Sequence, residues 1–261
     1  DSTTVDAVRY GDLGVPEFEV TPNCSVIEPH TRIRCATIEG AGGDAIKWVV
    51  TVNGQQSIAP VTSAATPLVL AVELFDRSTG NVLADGDFAR VSGGDGLRVR
   101  GDHFTATTLR VDWVRYGAPG AEMEALESKV VERHTTIECI TAAGGGRDLP
   151  LSVSISGQSS LVSSLTPTVT HEAPRIEAIA PTPLRTAGYE QVTVRGAGLG
   201  PLDRLLFEID GEPFDRSQLI GGGGAVGERG NGTTIVLETR PGTGAAHSLV
   251  AIQLACPWDD P

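Results

Sequence analysis

His30-Thr31-Arg32-Ile33-Arg34-Cys35 returns 104 residues later as His134-Thr135-Thr136-Ile137-Glu138-Cys139. Its surroundings return with it. Glu28 and Glu132 stand at the same offset ahead of the two copies. Val49-Val50-Thr51-Val52-Asn53-Gly54-Gln55 follows the first, and Ser152-Val153-Ser154-Ile155-Ser156-Gly157-Gln158 follows the second, displaced by one residue. Upstream, Val8-Arg9-Tyr10-Gly11 matches Val114-Arg115-Tyr116-Gly117 at a spacing of 106. A third, weaker copy is Gly232-Thr233-Thr234-Ile235-Val236-Leu237, with Leu237 in the cysteine's place. A period of about 100 residues is that of a whole small domain, not of a solenoid repeat.

Inside the copies the pattern is that of strands. Trp48, Val50 and Val52 share one side; Leu151, Val153 and Ile155 face inward while Ser152, Ser154 and Ser156 face outward. Period-two alternation with β-branched residues predicts half-buried strands, and Asn53-Gly54 predicts a tight turn. Val5, Ala7 and Arg9 are read as one face of an opening strand, and Phe18 and Val20 as part of the next. Further strands are expected at Leu68 to Leu74, Leu97 to Gly101, Leu109 to Tyr116, Arg175 to Pro181, Val192 to Gly196, Leu205 to Ile209 and Leu249 to Leu254. Residues 121–127 suggest one helical turn. Residues 76–96, rich in Asp and Gly, read as a surface insertion expected to touch a neighbouring module or subunit. Residues 57–66 and 158–173 are small and polar and read as linkers. The expected domains are 1–60, 67–165 with the insertion, and 174–261.

Composition narrows the class. Aromatics are only 5%, so the cores should be built from Val, Ile and Leu; 32 Gly and 16 Pro favour many turns between short strands. The net charge is −13, and Lys47 and Lys129 are the only lysines. So acidic a surface repels phosphate backbones, and no nucleic-acid partner is expected. No apolar run reaches membrane-spanning length, so no membrane insertion is expected in this segment. The chain begins at Asp1 without a signal-like stretch and is expected to be processed, trimmed or partial.

Pro174-x-Ile176-x-x-Ile179-x-Pro181, then Gly188, then Val192-Thr193-Val194-x-Gly196-x-Gly198-Leu199-Gly200 resembles the opening of an IPT/TIG domain. That is the immunoglobulin-like fold shared by plexins, Rel-type transcription factors and many long cell-surface proteins. The resemblance extends over nearly the whole chain as tandem copies. It implies an all-β fold of tandem immunoglobulin-like (IPT/TIG) β-sandwiches. The first copy lacks the two strands that open the other two, so that sandwich is expected to be incomplete. Three explanations stay open: the chain is a fragment, residues 57–66 fold back, or another copy donates strands from around Leu249 to Cys256 or from residues beyond Pro261.

The same resemblance implies a disulfide between Cys24 and Cys35, since the family often bridges these positions. The residues alone also admit four reduced, buried thiols. Ser128 occupies the Cys24 position in the second copy, so Cys139 has no such partner there, and Cys139 and Cys256 are candidate intersubunit thiols. Asn23-Cys24-Ser25 and Asn231-Gly232-Thr233 make Asn23 and Asn231 glycosylation candidates. No HExxH, GxSxG or Walker A sequence occurs, and no catalytic set, cofactor or metal is expected. Gly222-x-Gly224-x-x-Gly227 leads into a strand and reads as a flexible loop, not a dinucleotide site. Asp85, Asp87 and Asp95 read as a solvated acidic loop in preference to a calcium site. His30 and His134, at one repeat position, suggest a structural role. The expected function is that of an extracellular or cell-surface structural or adhesive protein: a multi-domain spacer, or a subunit of a filament assembled from copies of itself. The alternative is a ligand-binding receptor ectodomain or an accessory module of a secreted carbohydrate-active enzyme.

Overall fold

The computed structural model describes residues 4–11, 18–38, 45–58, 60–84, 88–105, 111–201, 204–213, 219–224, 233–242 and 247–253. Along the first repeat run β1 (Ala7–Gly11), β2 (Phe18–Glu19), β3 (Cys24–Glu28), β4 (Arg32–Cys35), β5 (Ile46–Val52), β6 (Gln55–Gln56) and β7 (Val61–Thr62). The second holds β8 (Leu68–Phe75), β9 (Gly96–Asp102), β10 (Val111–Tyr116), β11 (Met123–Glu124), β12 (Leu126–Glu132), β13 (Thr136–Ile140), β14 (Leu149–Ile155), β15 (Gln158–Ser159) and β16 (Thr168–Val169). The third holds β17 (Arg175–Ala180), β18 (Gln191–Ala197), β19 (Leu205–Ile209), β20 (Glu212–Pro213), β21 (Leu219–Gly224), β22 (Thr233–Glu238) and β23 (Leu249–Gln253).

The second repeat sets the pattern. One sheet runs β12-β13-β9-β8 and the other β11-β10-β14-β15, with β16 also on β14. Val99 and Ile137 from the first meet Val114, Tyr116 and Val153 from the second in one buried cluster. The third repeat packs β17-β18-β22-β21 on β20-β19-β23, with Val194 and Ile235 against Leu205 and Phe207. The chain is therefore all-β, a tandem of immunoglobulin-like sandwiches whose alternate residues point into thin aliphatic cores. In the first repeat the sheet β2-β1-β5-β6, with β7 on β5, faces, among the described residues, the pair β3-β4.

The Val-Arg-Tyr-Gly repeat has a packing reason. Tyr10 and Tyr116 are fully buried, and each hydroxyl reaches across to the backbone of the opposite half. Tyr10 Oη donates to the Ile38 carbonyl at 2.9 Å and accepts from its amide at 2.6 Å. Tyr116 Oη accepts from the Ala142 amide at 2.9 Å. Burying the ring satisfies the polar tip. This corrects the expected face of β1: Val8 and Tyr10 are buried, whereas Ala7 is half-buried and Arg9 is exposed. The aromatic ring, not the small Ala7, decides which way the strand turns.

Other expectations change as well. Both polar linkers contain strand. β7 pairs with Ile46 and Lys47 of β5, and β16 pairs with Leu149 and Pro150 of β14, so the first and second repeats are each closed by what reads as a spacer. The insertion is not wholly a surface loop. Ala89, Val91 and Asp95 are buried, and Ala89 bridges in parallel to His171. The helical turn expected at 121–127 is absent; β11 and β12 occupy that stretch. Leu219–Gly224 is a strand paired with β22, so Gly222 and Gly224 are not in a loop; Gly227 lies outside the described residues. Ser154, expected to face outward, is buried and donates to Asp112 at 3.0 Å.

Candidate interaction site: the open sheet of the first repeat

The hairpin β3–β4 is built as its counterpart β12–β13 is. Both turn through a histidine in the left-handed region, His30 at φ 63° and His134 at φ 65°. In both, the following threonine donates its amide to a glutamate carbonyl, Thr31 to Glu28 and Thr135 to Glu132, each at 3.2 Å. The two hairpins differ in what lies beyond them. β13 pairs along its length with β9, placing Ile137 opposite Val99 and Glu138 opposite Arg98. β22 of the third repeat pairs in the same way with β18, placing Ile235 opposite Val194. Among the described residues β4 pairs with β3 alone.

Exposure follows from that gap. Ile137 is 0% exposed and Ile33, at the same repeat position, 39%. Val130 is 8% exposed and Val26 37%. Ile27 and Ile38 add to the uncovered apolar surface. A free strand edge beside exposed Ile and Val presents unpaired backbone groups and apolar area together, the combination that recruits another strand. The charge on this edge is also inverted. Glu138 binds Arg98 at 2.6 Å across the β13–β9 ladder, and Arg34 stands at the Glu138 position. Arg32 is tied to Glu28 at 3.1 Å.

Cys24 and Cys35 lie directly opposite in the β3–β4 register and are disulfide-bonded, with Cα atoms 4.0 Å apart. The bond clamps a hairpin that, among the described residues, no further strand joins. Its counterpart position holds Ser128 beside the Cys139 thiol. Cys139 is buried in the second core, and burial pushes its thiol up to about 12. That corrects its reading as an intersubunit thiol: neither access nor ionisation favours exchange. Cys256 lies outside the described residues, as does Asn231. Asn23 is exposed in a 3₁₀ turn, Thr21–Asn23, immediately ahead of the disulfide.

One polar motif escaped the sequence reading. Arg90 donates its backbone amide to Asp95 at 2.7 Å and its Nε to the same carboxylate at 2.9 Å; Thr141 Oγ1 accepts the Asp95 amide at 3.0 Å. Arg185, Glu190 and Thr239 repeat the amide contacts in the third repeat. Between arginine and acid sit Gly93 at φ 68° and Gly188 at φ 70°, where a Cβ would strike the backbone of residues 141–143 and 240–241, just past the ends of β13 and β22. Arg-x-x-Gly-x-Asp/Glu at a spacing of 95 was the available signal. Asp95 is therefore a buried, paired carboxylate and not part of a solvated or calcium-binding loop; Asp85 and Asp87 lie outside the described residues. Among the described residues no three His, Cys, Asp or Glu gather as metal ligands. No described helix is long and apolar enough to cross a membrane.

At the junction after β16, His171 is buried with neither ring nitrogen hydrogen-bonded. Burial pulls its pKa down to about 4. Its ring lies 5.9 Å from that of Tyr116.

No family model matches the sequence, and no curated protein matches it. Several solved structures are similar. SGBP-B from a complex xyloglucan utilization locus in Bacteroides uniformis is 18% identical over 74% of this chain and 47% of its own, with a TM-score of 0.28. The chain thus spans about half the length of that protein. The extracellular region of plexin A4 is 11% identical over 95% of this chain and 29% of its own, with a TM-score of 0.25. The I9–I11 tandem of titin is 11% identical over 97% of this chain and 89% of its own, also at 0.25. None of these likenesses transfers a function.

Proposed function

We propose that this chain is a structural spacer of an extracellular or cell-surface protein, built from IPT/TIG-type sandwiches and able to take part in a surface assembly. The observation that carries the reading is the way successive sandwiches are joined. Each repeat has its own apolar cluster. The connecting segments are held in ladders: β7 on β5, β16 on β14, and Ala89 exchanging backbone bonds with Thr170 and Glu172 at 2.9 Å each. Gln158 Nε2 in the second repeat donates to the Ala64 carbonyl at 3.0 Å, across the first junction. A spacer needs independent cores and junctions that resist bending, and both features support this role. The disulfide supports an oxidising compartment.

The IPT/TIG assignment is supported by Gly101 and Gly196, each the penultimate residue of the apolar strands β9 and β18. A Cβ on either would lie 2.0 Å from the Leu68 carbonyl or 2.1 Å from that of Arg175. The partner strand passes too close for any side chain, which is the physical content of the Val-x-Val-x-Gly pattern. Three residues beyond each glycine, Phe104 and Leu199 fill the core.

Single-molecule stretching of the chain tests the reading. The expected record has discrete unfolding steps, each of complete repeats releasing about 300 Å of contour. Smooth extension at low force, without steps, would contradict a load-bearing spacer.

A further inference from the structure

We propose that the second junction is a pH-operated strap: protonation of His171 peels residues 170–172 off the second sandwich and loosens the third from it. The strap is held by named bonds. Asp148 donates its amide to Thr170 Oγ1 at 3.0 Å, and His171 donates its own to the Gly146 carbonyl at 3.0 Å. Ala89 donates to the Thr170 carbonyl and accepts from the Glu172 amide, at 2.9 Å each. The same stretch meets the third sandwich: a Cβ on Gly198 would lie 2.6 Å from the Ala173 carbonyl. At the centre is the His171 ring. The residue is 3% exposed, and among the described residues neither ring nitrogen has a hydrogen-bond partner. A neutral imidazole tolerates that setting; an imidazolium would bury a charge and two unmet donors.

The groups around the ring do not offset such a charge. Tyr116 of β10 lies against it, its hydroxyl taken by the Ala142 amide. Asp95, ahead of β9, is bound by Arg90 through both its Nε and its amide. Glu172, on the strap itself, accepts the Val91 amide at 3.5 Å. Arg147 and Asp148, beside Gly146, are exposed and pair with each other. From the third sandwich Arg204 adds a charge of the imidazolium's own sign. The first junction has the same build without the sensor. β7 and β16 take the same place on β5 and β14, so Val61-Thr62-Ser63-Ala64 aligns with Thr168-Val169-Thr170-His171. Ala64 stands where the histidine is, and it takes up no proton. The device rests on this geometry and not on the spacer role.

Amide exchange of the 261-residue protein, corrected for the intrinsic effect of pH, reads the opening constant of the strap at Ala89, His171 and Glu172. Burial holds the His171 pKa at about 4 while the strap is seated, and release returns it to about 6.5. The seated form is therefore favoured above pH 6.5 and loses its advantage as the pH falls toward 4. Between pH 7 and pH 5 the opening constant should rise about twentyfold. It should also exceed that of Val99 and Val194 at both pH values, because the strap opens while the sandwiches hold. The Trp48 amide, which binds the Pro60 carbonyl at the first junction, should keep its opening constant. His171→Ala, which copies the first junction, and His171→Asn should each abolish the rise, and Glu172→Gln should preserve it. A flat opening constant, a rise that survives both histidine substitutions, or a rise lost with Glu172→Gln would overturn the proposal. So would one opening constant shared by the strap and Val99, because the junction would then open only when the sandwich unfolds.

Discussion

One strand motif occupies two settings in this molecule. β13 of the second repeat lies inside a four-stranded sheet, with Ile137 sealed and Glu138 paired to Arg98. β4 of the first has the same hairpin geometry and turn histidine but no strand on its outer edge among the described residues. Where the sheet is complete, the core is aliphatic and the cysteine is a buried free thiol. Where it stops at two strands, Ile33 is two-fifths exposed and the cysteine is locked to its neighbour. The hairpin is thus specified locally, by the turn and the cross-strand register. The burial that stabilises it comes from strands far away in sequence, and where the described residues show no such strand a disulfide holds the hairpin instead.

The contrast is sharpest at the isoleucines. Ile137→Ala should cost about 3–4 kcal/mol, the usual loss for a sealed core aliphatic, read as local opening free energy at Val99 and Val153 by native-state hydrogen exchange. Ile33→Ala should cost about 1 kcal/mol or less, because no enclosed cavity forms. Equal costs would mean that the first repeat is packed as well as the second.

The cysteines come next. Cys35→Ser should lower the stability of the first repeat by about 3 kcal/mol, from the loss of an 11-residue loop closure. Ser128→Cys offers the converse. It should bond to Cys139, visible as a linked peptide in non-reducing mass spectrometry, and contribute up to about 3 kcal/mol to the second repeat. Two free thiols in that variant would show that the hairpins differ in geometry as well as in cover.

The junctions supply a smaller difference, controlled by pH. His171 is buried neutral at the second junction. In the unfolded chain it takes up a proton near pH 6.5, in the fold only near pH 4, so between these values the unfolded state binds more protons. Stability therefore falls as the pH drops from about 6.5 to about 4, by about 2–3 kcal/mol. His171→Asn should flatten that part of the profile of midpoint against pH; an unchanged profile would place the sensitivity elsewhere. Smallest of all, Arg34→Glu should change stability by less than about 0.5 kcal/mol, since the side chain is exposed.

Much of this was legible because the motif repeats. The strands from Leu68, Leu97, Arg175, Val192, Leu205 and Leu249 fall where alternation places them, and Cys24 and Cys35 face each other in the register that the resemblance implied. What escaped depends on pairing between distant residues. Nothing in Ala89-Arg90-Val91 announces burial until His171 and Thr141 are brought beside it. Gly221 to Gly224 has no side chains to alternate, so its strand is visible only through β22. Val61-Thr62 and Thr168-Val169 are too short and too polar to read as strands without β5 and β14 to receive them.

Backbone hydrogen exchange over the two matched tetrads, Arg32–Cys35 and residues 136–139, tests the difference most directly. Alternate amides of β4 point to the open edge, so two of its four should exchange far faster than any amide in the β13 tetrad. All four β4 amides protected to the level of β13 would contradict an open first sheet.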